Sequence, residues 1–456
     1  MARSMIVCAL LAIFSFEVRG QEQPKPTETL IKLQLSPMAA PRPALKYMLL
    51  PDLKETNPGN PVQGYLKCFM EQNHFFFEKT ADAKREKWLV MPLAELPVAE
   101  LRGYGGNALR QADDAARLET PDWQILMTLK RDGVSTLLPD VQWMRRIAAA
   151  LKVRFRGEVA DGRYDDAVRT AKTMFALARH LGEHPTFIGN LVGIAVAHIA
   201  FGPLEEMIGQ PDSPNLYWAL TNLPDPLVDI RKGSLGERLW VLEKLALLSE
   251  TTPMSESDLQ KTVATFTEVT SDPAKDAAAR QAFEQKAKDE GVVAAARKRL
   301  VEFGMKEERV KSFPPLQVLL LDDKREYEER NDELMKEIAL PFWQIDKRLD
   351  KIPQSPDSLM VGFISAGIKV RGAQARMQQR IALLRHVEAI RMYLAETGKL
   401  PSALTDLKTP LPVDPFSGTA FQYKLEGGVA HLWGAPPLGA EKSPIVKVRY
   451  ELTVRK

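Results

Sequence analysis

The hydrophobic pattern changes period several times along the chain. Near the N-terminus, Ile31, Leu33 and Leu35 alternate with polar residues, which is the period-two pattern of a half-buried strand. Proline residues from Pro37 onwards end this strand. From residue 44 to about residue 235, apolar positions recur at helical spacing and are interrupted by proline and glycine. The pattern predicts one short leading strand and then a helical region.

The clearest unit of that region is a predicted helical hairpin. Residues 161–167, with the sequence DGRYDDA, lead into a predicted helix from Val168 to Leu181. One face of this helix carries small and apolar residues at spacings of four, three and four: Ala167, Ala171, Met174 and Ala178. Such a seam allows a second helix to approach closely.

This turn resembles the join between the two helices of a tetratricopeptide repeat. There a glycine turns the chain and an aromatic side chain packs beneath it, and Gly162 and Tyr164 stand at those positions. Only part of one repeat matches, with no second copy at a period of about 34 residues. The resemblance implies a helical hairpin, although a generic helix pair with an alanine seam fits the same residues. The whole chain is also similar to large exported helical families of bacteria.

The most apolar internal stretch runs from Phe187 to Leu204. Pro185 and Pro203 confine any helix there to about seventeen residues, the lower end of the range that spans a bilayer. Asn190 and His198 would also have to be buried in lipid. The stretch therefore predicts a buried core helix that ends before Pro203, and no transmembrane span in the mature chain.

Residues 236–355 are rich in charge and helical in period. The run from Asp322 to Glu337 is typical of a solvated helix face, on which Asp332 precedes Lys336 by four residues in the orientation that favours an ion pair. Because both signs are interspersed, the region forms no basic patch.

The C-terminal segment, residues 356–456, predicts a long helix and then strands. The helix carries an apolar stripe and ends at Gly398; the stripe is Leu383, Val387, Ile390 and Leu394. Residues 421–425 alternate in polarity, Gly427 and Gly428 form a turn into 429–433, and residues 446–454 alternate again. We expect a small antiparallel sheet, which the 31–35 strand could join. The predicted fold class is mainly α, with helical hairpins and this α+β C-terminus.

Part of this segment resembles the soluble region of type II secretion major pseudopilins. Residues 373–433 share the order of a helix and these motifs: Gly398-Lys399-Leu400-Pro401, Asp414-Pro415-Phe416, Gly418, Phe421, Tyr423 and Gly427-Gly428. Asp414 can bond nearby backbone amides. The chain departs from that family because no prepilin cleavage site precedes the helix and Gly434-Ala435-Pro436-Pro437 replaces the calcium-binding acidic run. The resemblance therefore implies neither filament assembly nor calcium binding.

The N-terminus has the pattern of a secretory signal peptide. Arg3 precedes an apolar run from Met5 to Phe16, and residues 18–20 (VRG) match a cleavage site after Gly20. The run of about twelve residues is shorter than the roughly twenty that a spanning helix needs. We expect a periplasmic or secreted protein with residues 1–20 removed. An uncleaved signal that anchors the chain in the inner membrane is the alternative.

The composition argues against some classes of protein but indicates no activity. The chain has 456 residues. Its sequence predicts a signal peptide at 1–20, a helical domain with one leading strand at 21–235, a charged helical region at 236–355 and the C-terminal segment at 356–456. The charge of +3, from 62 basic and 59 acidic residues, argues against a nucleic-acid binder. Without the signal, Cys68 is the single cysteine, so it predicts a buried small hydrophobe; pairing with another chain stays open.

One motif has the spacing of a zinc site. His180-Leu181-Gly182-Glu183-His184 matches the inverted zinc-protease pattern, which needs both histidines on one continuous helix. Gly182 weakens that helix and Pro185 biases His184 away from helical geometry, so the residues predict a helix end. The sequence contains no Walker loop and no nucleophile elbow. We therefore assign no catalytic, cofactor-binding or metal residues.

The leading hypothesis is a non-enzymatic scaffold or binding protein outside the cytoplasm, since stacked helical hairpins form concave surfaces for protein partners. A hydrolase whose site forms only in three dimensions is the second hypothesis. An accessory protein of a secretion or pilus-like apparatus is the third.

Overall fold

The computed structural model describes residues 28–133, 136–268, 272–349, 358–436 and 447–455. The predicted signal peptide lies outside these residues. Helices dominate the described chain: α1 (Pro61–Glu71), α2 (Asn73–Phe77), α3 (Lys79–Val90), α4 (Val98–Leu101), α5 (Gly106–Ala115), α6 (Leu126–Asp132), α7 (Pro139–Ala160), α8 (Tyr164–Gly182), α9 (Phe187–Ile208), α10 (Tyr217–Thr221), α11 (Arg231–Leu245), α12 (Glu256–Thr267), α13 (Pro273–Lys286), α14 (Glu290–Glu302), α15 (Glu307–Ser312), α16 (Pro315–Ile338), α17 (Phe342–Leu349) and α18 (Val361–Thr397). The strands are β1 (Thr29–Leu35), β2 (Gln422–Glu426), β3 (Val429–Trp433) and β4 (Val448–Val454). The predicted mainly α fold with a small C-terminal sheet is confirmed.

Helices α7, α8 and α9 pack against one another and form the centre of the core. The turn between α7 and α8 contains Gly162 at φ +70°, a backbone conformation that glycine adopts without a steric penalty. The predicted small-residue seam is fully buried: Ala167, Ala171, Met174 and Ala178. The predicted helical hairpin is therefore present.

Helix α9 continues through Pro203 to Ile208, so the predicted end before this proline is wrong. A proline inside a helix removes the N–H that would bond the carbonyl four residues earlier, which costs stability. Here tertiary packing outweighs that cost, because Leu204 and Ile208 beyond the proline are fully buried.

Among the described residues, α9 is the helix long and apolar enough to cross a membrane, and 72% of its apolar window is buried inside the protein. Its Asn190 side chain donates to the carbonyl oxygens of Leu181 (3.3 Å), Gly182 (3.0 Å) and His184 (3.1 Å). These contacts give the polar amide partners within protein, as a core helix requires. The burial agrees with the predicted core helix.

The sheet is mixed, not antiparallel throughout as predicted. Its strand order is β1-β4-β3-β2, with β1 parallel to β4 and the other neighbours antiparallel. Leu33 of β1 lies opposite Leu452 of β4. Parallel neighbours need a long crossover connection, and here the whole helical body between the two strands provides it.

Helix α18 joins the sheet to the helical body by packing against α9, α10 and α16. The predicted stripe is buried: Leu383, Val387, Ile390 and Leu394. The helix ends where predicted, at Gly398, whose φ of +72° provides the left-handed cap. Asp414, which follows this helix, accepts from the backbone N–H of Phe416 (3.0 Å), as expected.

The charged helix α16 is not a solvated face throughout. Asp323, Tyr327 and Asn331 recur every four residues and are buried, so one stripe of the predicted solvent-facing run points into the protein. The predicted pair of Asp332 with Lys336 is also wrong. Asp332 lies 3.0 Å from Arg238, and Lys336 lies 2.7 Å from Glu333.

One contiguous cluster of buried apolar side chains extends from Leu33 to Leu452 and includes Trp240 and Leu320 of the region 236–355. The predicted boundary at 235/236 falls inside α11, and the one at 355/356 lies outside the described residues.

Candidate functional site

A cavity of about 580 Å³ opens at the hairpin turn between α7 and α8. We call it the hairpin cavity. Three segments distant in sequence line it: the turn itself at 162–166, the chain after β1 at 38–47, and the loop after α9 at 212–215. Because clefts where several segments meet are common binding sites, this cavity is the first candidate for function.

Ion pairs hold the turn segment in place. Arg163 donates to Asp161 (2.8 Å) and to Asp166 (2.8 Å), and Arg102, the residue after α4, donates to Asp161 (3.0 Å). Hydrogen bonds from Arg102 and Arg163 lower the pKa of Asp161 to about 2. Asp161 is therefore ionised at neutral pH and keeps both arginines in position.

The chain after β1 forms the second wall. The hydroxyl of Tyr47 donates to Oδ1 of Asp165 across the cavity (3.0 Å), and the Lys46 ammonium lies 5.0 Å from the Tyr47 ring centroid. Arg42 is exposed and forms no ion pair with another residue of the described chain. This wall therefore presents two cations, and neither forms an ion pair with a carboxylate of the described residues.

The loop after α9 forms the third wall. Asp212 is exposed, has φ +56° and forms no ion pair within the described ranges. Asn215 is buried, and its side-chain amide donates to the carboxylate of Glu388 (2.9 Å) and to the Glu388 carbonyl (2.9 Å). The loop therefore offers an unpaired carboxylate above a fixed floor.

A fully buried ion pair on α18 supports that floor. Arg391 and Glu388 are both 0% exposed and 2.9 Å apart. Arg391 also donates to the carbonyl oxygens of Ser36 (3.2 Å), Ser213 (2.9 Å) and Pro214 (3.3 Å). One guanidinium thus ties the strand exit and the loop to the same helix, which makes two walls of the hairpin cavity rigid.

The two histidines of the zinc-like motif do not converge. His180 lies on α8, which ends at Gly182, while His184 lies beyond that end. Nδ1 of His180 is 2.9 Å from the Tyr65 hydroxyl, and Nδ1 of His184 is 2.9 Å from the Thr186 hydroxyl. Burial lowers the pKa of each imidazole to about 3, so both are neutral at physiological pH.

No group of three metal-ligating side chains of His, Cys, Asp or Glu occurs among the residues that the structure describes. Cys68 lies in the core, where burial raises the pKa of its thiol to about 12. A buried neutral thiol behaves as the small hydrophobe that the sequence predicts.

Comparisons with known proteins add no family: no family model, curated protein or solved structure matches the chain.

Sequence reasoning singled out the turn that forms one wall of the hairpin cavity, but not the other two walls. Arg42 and Asp212 are separated by most of the N-terminal half, and no local pattern brings them together. The available signal was indirect: a Glu388 and Arg391 pair inside an apolar helix stripe indicates a buried polar network.

Proposed function

We propose that the chain is a non-enzymatic scaffold or binding protein that acts outside the cytoplasm, and that the hairpin cavity binds a segment of a protein partner. The observation that carries this proposal is the pair of exposed unpaired charges, Arg42 and Asp212, on two walls of one open cavity. A peptide with an acidic and a basic side chain would complement both walls.

The rigid floor supports the same proposal. Arg391 and Glu388 fix Asn215 and the loop around it through buried hydrogen bonds. A site that is already ordered loses little conformational entropy on binding, and therefore gains affinity from few contacts.

Selection of peptides from a phage-displayed random library on the purified chain tests the proposal. We expect the selected peptides to combine acidic and basic residues. A double charge reversal, Arg42→Glu with Asp212→Lys, keeps the net charge and should weaken binding of the selected peptides about five- to tenfold in calorimetric titration.

The matched control reverses two exposed unpaired charges elsewhere, Lys288→Glu with Glu329→Lys. It should leave peptide affinity unchanged. If both double variants bind the peptides as well as the original chain does, the hairpin cavity is not the binding site and the proposal fails.

The compartment is a separate part of the proposal and rests on the N-terminal pattern of residues 1–20. Mass spectrometry of the chain produced in a bacterial host tests it. We expect the mature N-terminus at Gln21 and recovery from the periplasm or the medium. An intact N-terminus in the cytosol would contradict the assignment.

A further inference from the structure

A second, smaller cavity lies between the sheet and the helical body. It has a volume of about 250 Å³ and opens where β1 and β4 meet α9 and α18; we call it the sheet–helix cavity. The side chains that matter for its chemistry are Arg376, Arg380, His198, Phe201, Leu383 and Val448. None belongs to the hairpin cavity.

Two guanidinium groups share this cavity. Arg376 and Arg380 are one helical turn apart on α18, so they face the same side, and like charges at this spacing repel each other. Both are only partly exposed, and burial lowers the pKa of Arg376. An anion between the two groups would reduce this repulsion.

One carboxylate offsets part of this charge. Oε1 of Glu205 accepts from Nε of Arg380 (2.8 Å) and from the Tyr450 hydroxyl, and it lies 2.6 Å from Nη2 of Arg380. This pair uses Nε and Nη2 of Arg380 and leaves Nη1 outside it. Glu205 therefore pairs with Arg380, and both guanidinium groups line the cavity.

The imidazole of His198 is a further polar group at the cavity, and it brings no negative charge. Its Nδ1 is 2.9 Å from the carbonyl oxygen of Ile194, which accepts a hydrogen bond, so Nδ1 carries the proton. Nε2 stays outside that bond, on a side chain that lines the cavity.

One part of the wall is apolar and consists of Phe201, Leu383 and Val448, beside the two guanidinium groups. Thr29 and Gln379 also line the cavity. Cavities that hold drug-sized ligands usually have volumes of about 300–1,000 Å³, so this one suits a smaller molecule. A ligand that fills it needs an anionic end for the arginines and a short hydrocarbon part for the apolar wall.

We propose that the sheet–helix cavity binds a small organic acid, with its carboxylate between Arg376 and Arg380 and its hydrocarbon part against Phe201, Leu383 and Val448. Guanidinium groups bind carboxylates through paired, charge-assisted hydrogen bonds. The site is independent of partner binding at the hairpin cavity.

Calorimetric titration of the purified chain at low salt, with four small probes, tests the charge and the apolar requirement. Butyrate should bind with one-to-one stoichiometry, and about tenfold more tightly than acetate because its two extra methylene groups are buried. Butylamine, which has the same number of carbon atoms and the opposite charge, should not bind. Phosphate should bind more weakly than butyrate because it leaves the apolar wall in water.

Two substitutions locate the site. Arg376→Gln should weaken butyrate binding by about tenfold or more through loss of a charge-assisted hydrogen bond. Val448→Phe keeps every charge but fills the cavity, and it should abolish binding. The matched control is Arg385→Gln on the same helix, where the guanidinium lies over the Tyr217 ring, outside the cavity. It should leave butyrate affinity unchanged.

Circular dichroism and thermal melting establish that each variant is folded before titration. Equal binding of butyrate and butylamine, or no butyrate binding by the original chain, would overturn the proposal. Unchanged butyrate affinity in folded Arg376→Gln and Val448→Phe would overturn it as well. Tighter binding of phosphate than of butyrate would replace the organic acid by an inorganic oxyanion and so contradict the assigned ligand class.

Discussion

Helix α18 carries two arginines in opposite situations. Arg391 is fully buried, and all three of its guanidinium nitrogens bond protein oxygens: Ser36, Ser213, Pro214 and Glu388 provide them. Arg380, about 16 Å earlier on the helix, is 15% exposed and shares the sheet–helix cavity with Arg376. The same residue type thus closes a structural network at one place and lines a cavity at the other.

The two arginines differ in whether any of their hydrogen-bond donors remain available to a ligand. A charged group whose hydrogen bonds are all made within the protein has no capacity left for a ligand. A charged group next to a like charge and a cavity has both capacity and reason to bind an anion. Substitutions of Arg391 and Arg380 test this contrast directly, and substitutions of a buried carboxyl and of two exposed charges extend it to other parts of the molecule.

The largest effect should follow substitution of Arg391. Arg391→Met removes the partner of a fully buried carboxylate, and we expect the free energy of unfolding to fall by about 3–5 kcal/mol. Urea denaturation followed by circular dichroism measures this. A loss below about 1 kcal/mol would contradict the structural role of the pair.

A buried carboxyl that accepts hydrogen bonds but has no cationic partner should make the stability of the fold depend on pH. Asp323 accepts from the Ser358 hydroxyl and from the Leu359 N–H (2.9 Å), and burial raises its pKa from 3.8 to about 6. Between about pH 4 and pH 6, Asp323 is therefore protonated in the folded state and ionised in the unfolded state. The stabilisation that protonated Asp323 provides is fully present below about pH 4 and is lost as the pH rises through about 6.

Asp323→Asn should remove this dependence. Between pH 4 and pH 7 the original chain should lose about 2.5 kcal/mol of stability more than the variant does, as urea denaturation across that range would show. Parallel pH profiles for the two proteins would show that Asp323 does not titrate in this way.

Substitution of Arg380 should cost less than substitution of Arg391. Its ion pair with Glu205 is partly exposed, and the Tyr450 hydroxyl remains as a donor to Glu205. We expect Arg380→Met to lower the free energy of unfolding by about 1–2 kcal/mol and to abolish butyrate binding. A stability loss equal to that of Arg391→Met would remove the contrast between the two arginines.

The smallest effect should come from the hairpin cavity. Arg42 and Asp212 are exposed and unpaired, so the double reversal Arg42→Glu with Asp212→Lys should change stability by less than about 0.5 kcal/mol. Thermal melting would reveal a larger change. Such a change would mean that these charges stabilise the walls of the cavity and are not available to a partner.

Local patterns in the sequence predicted much of the fold. The alternation of residues 446–454, the small-residue seam of α8 and the end of α18 at Gly398 each depend on neighbouring residues, and each is confirmed. Such features need only the period of one element and the conformation of one turn.

Features that depend on distant residues were not predictable in this way. The parallel pairing of β1 with β4, the passage of α9 through Pro203 and the burial of Asp323 follow from packing between remote segments. The two cavities belong to the same class, because each is lined by at least three segments. A single sequence contains the residues of these sites but not their proximity.

The most direct test of the contrast is a crystal structure of the chain with 4-bromobutyrate, recorded at the bromine absorption edge. We expect one anomalous peak in the sheet–helix cavity, near Phe201 and Leu383, with the carboxylate between Arg376 and Arg380. A peak at another place, with this cavity empty of the probe, would contradict it.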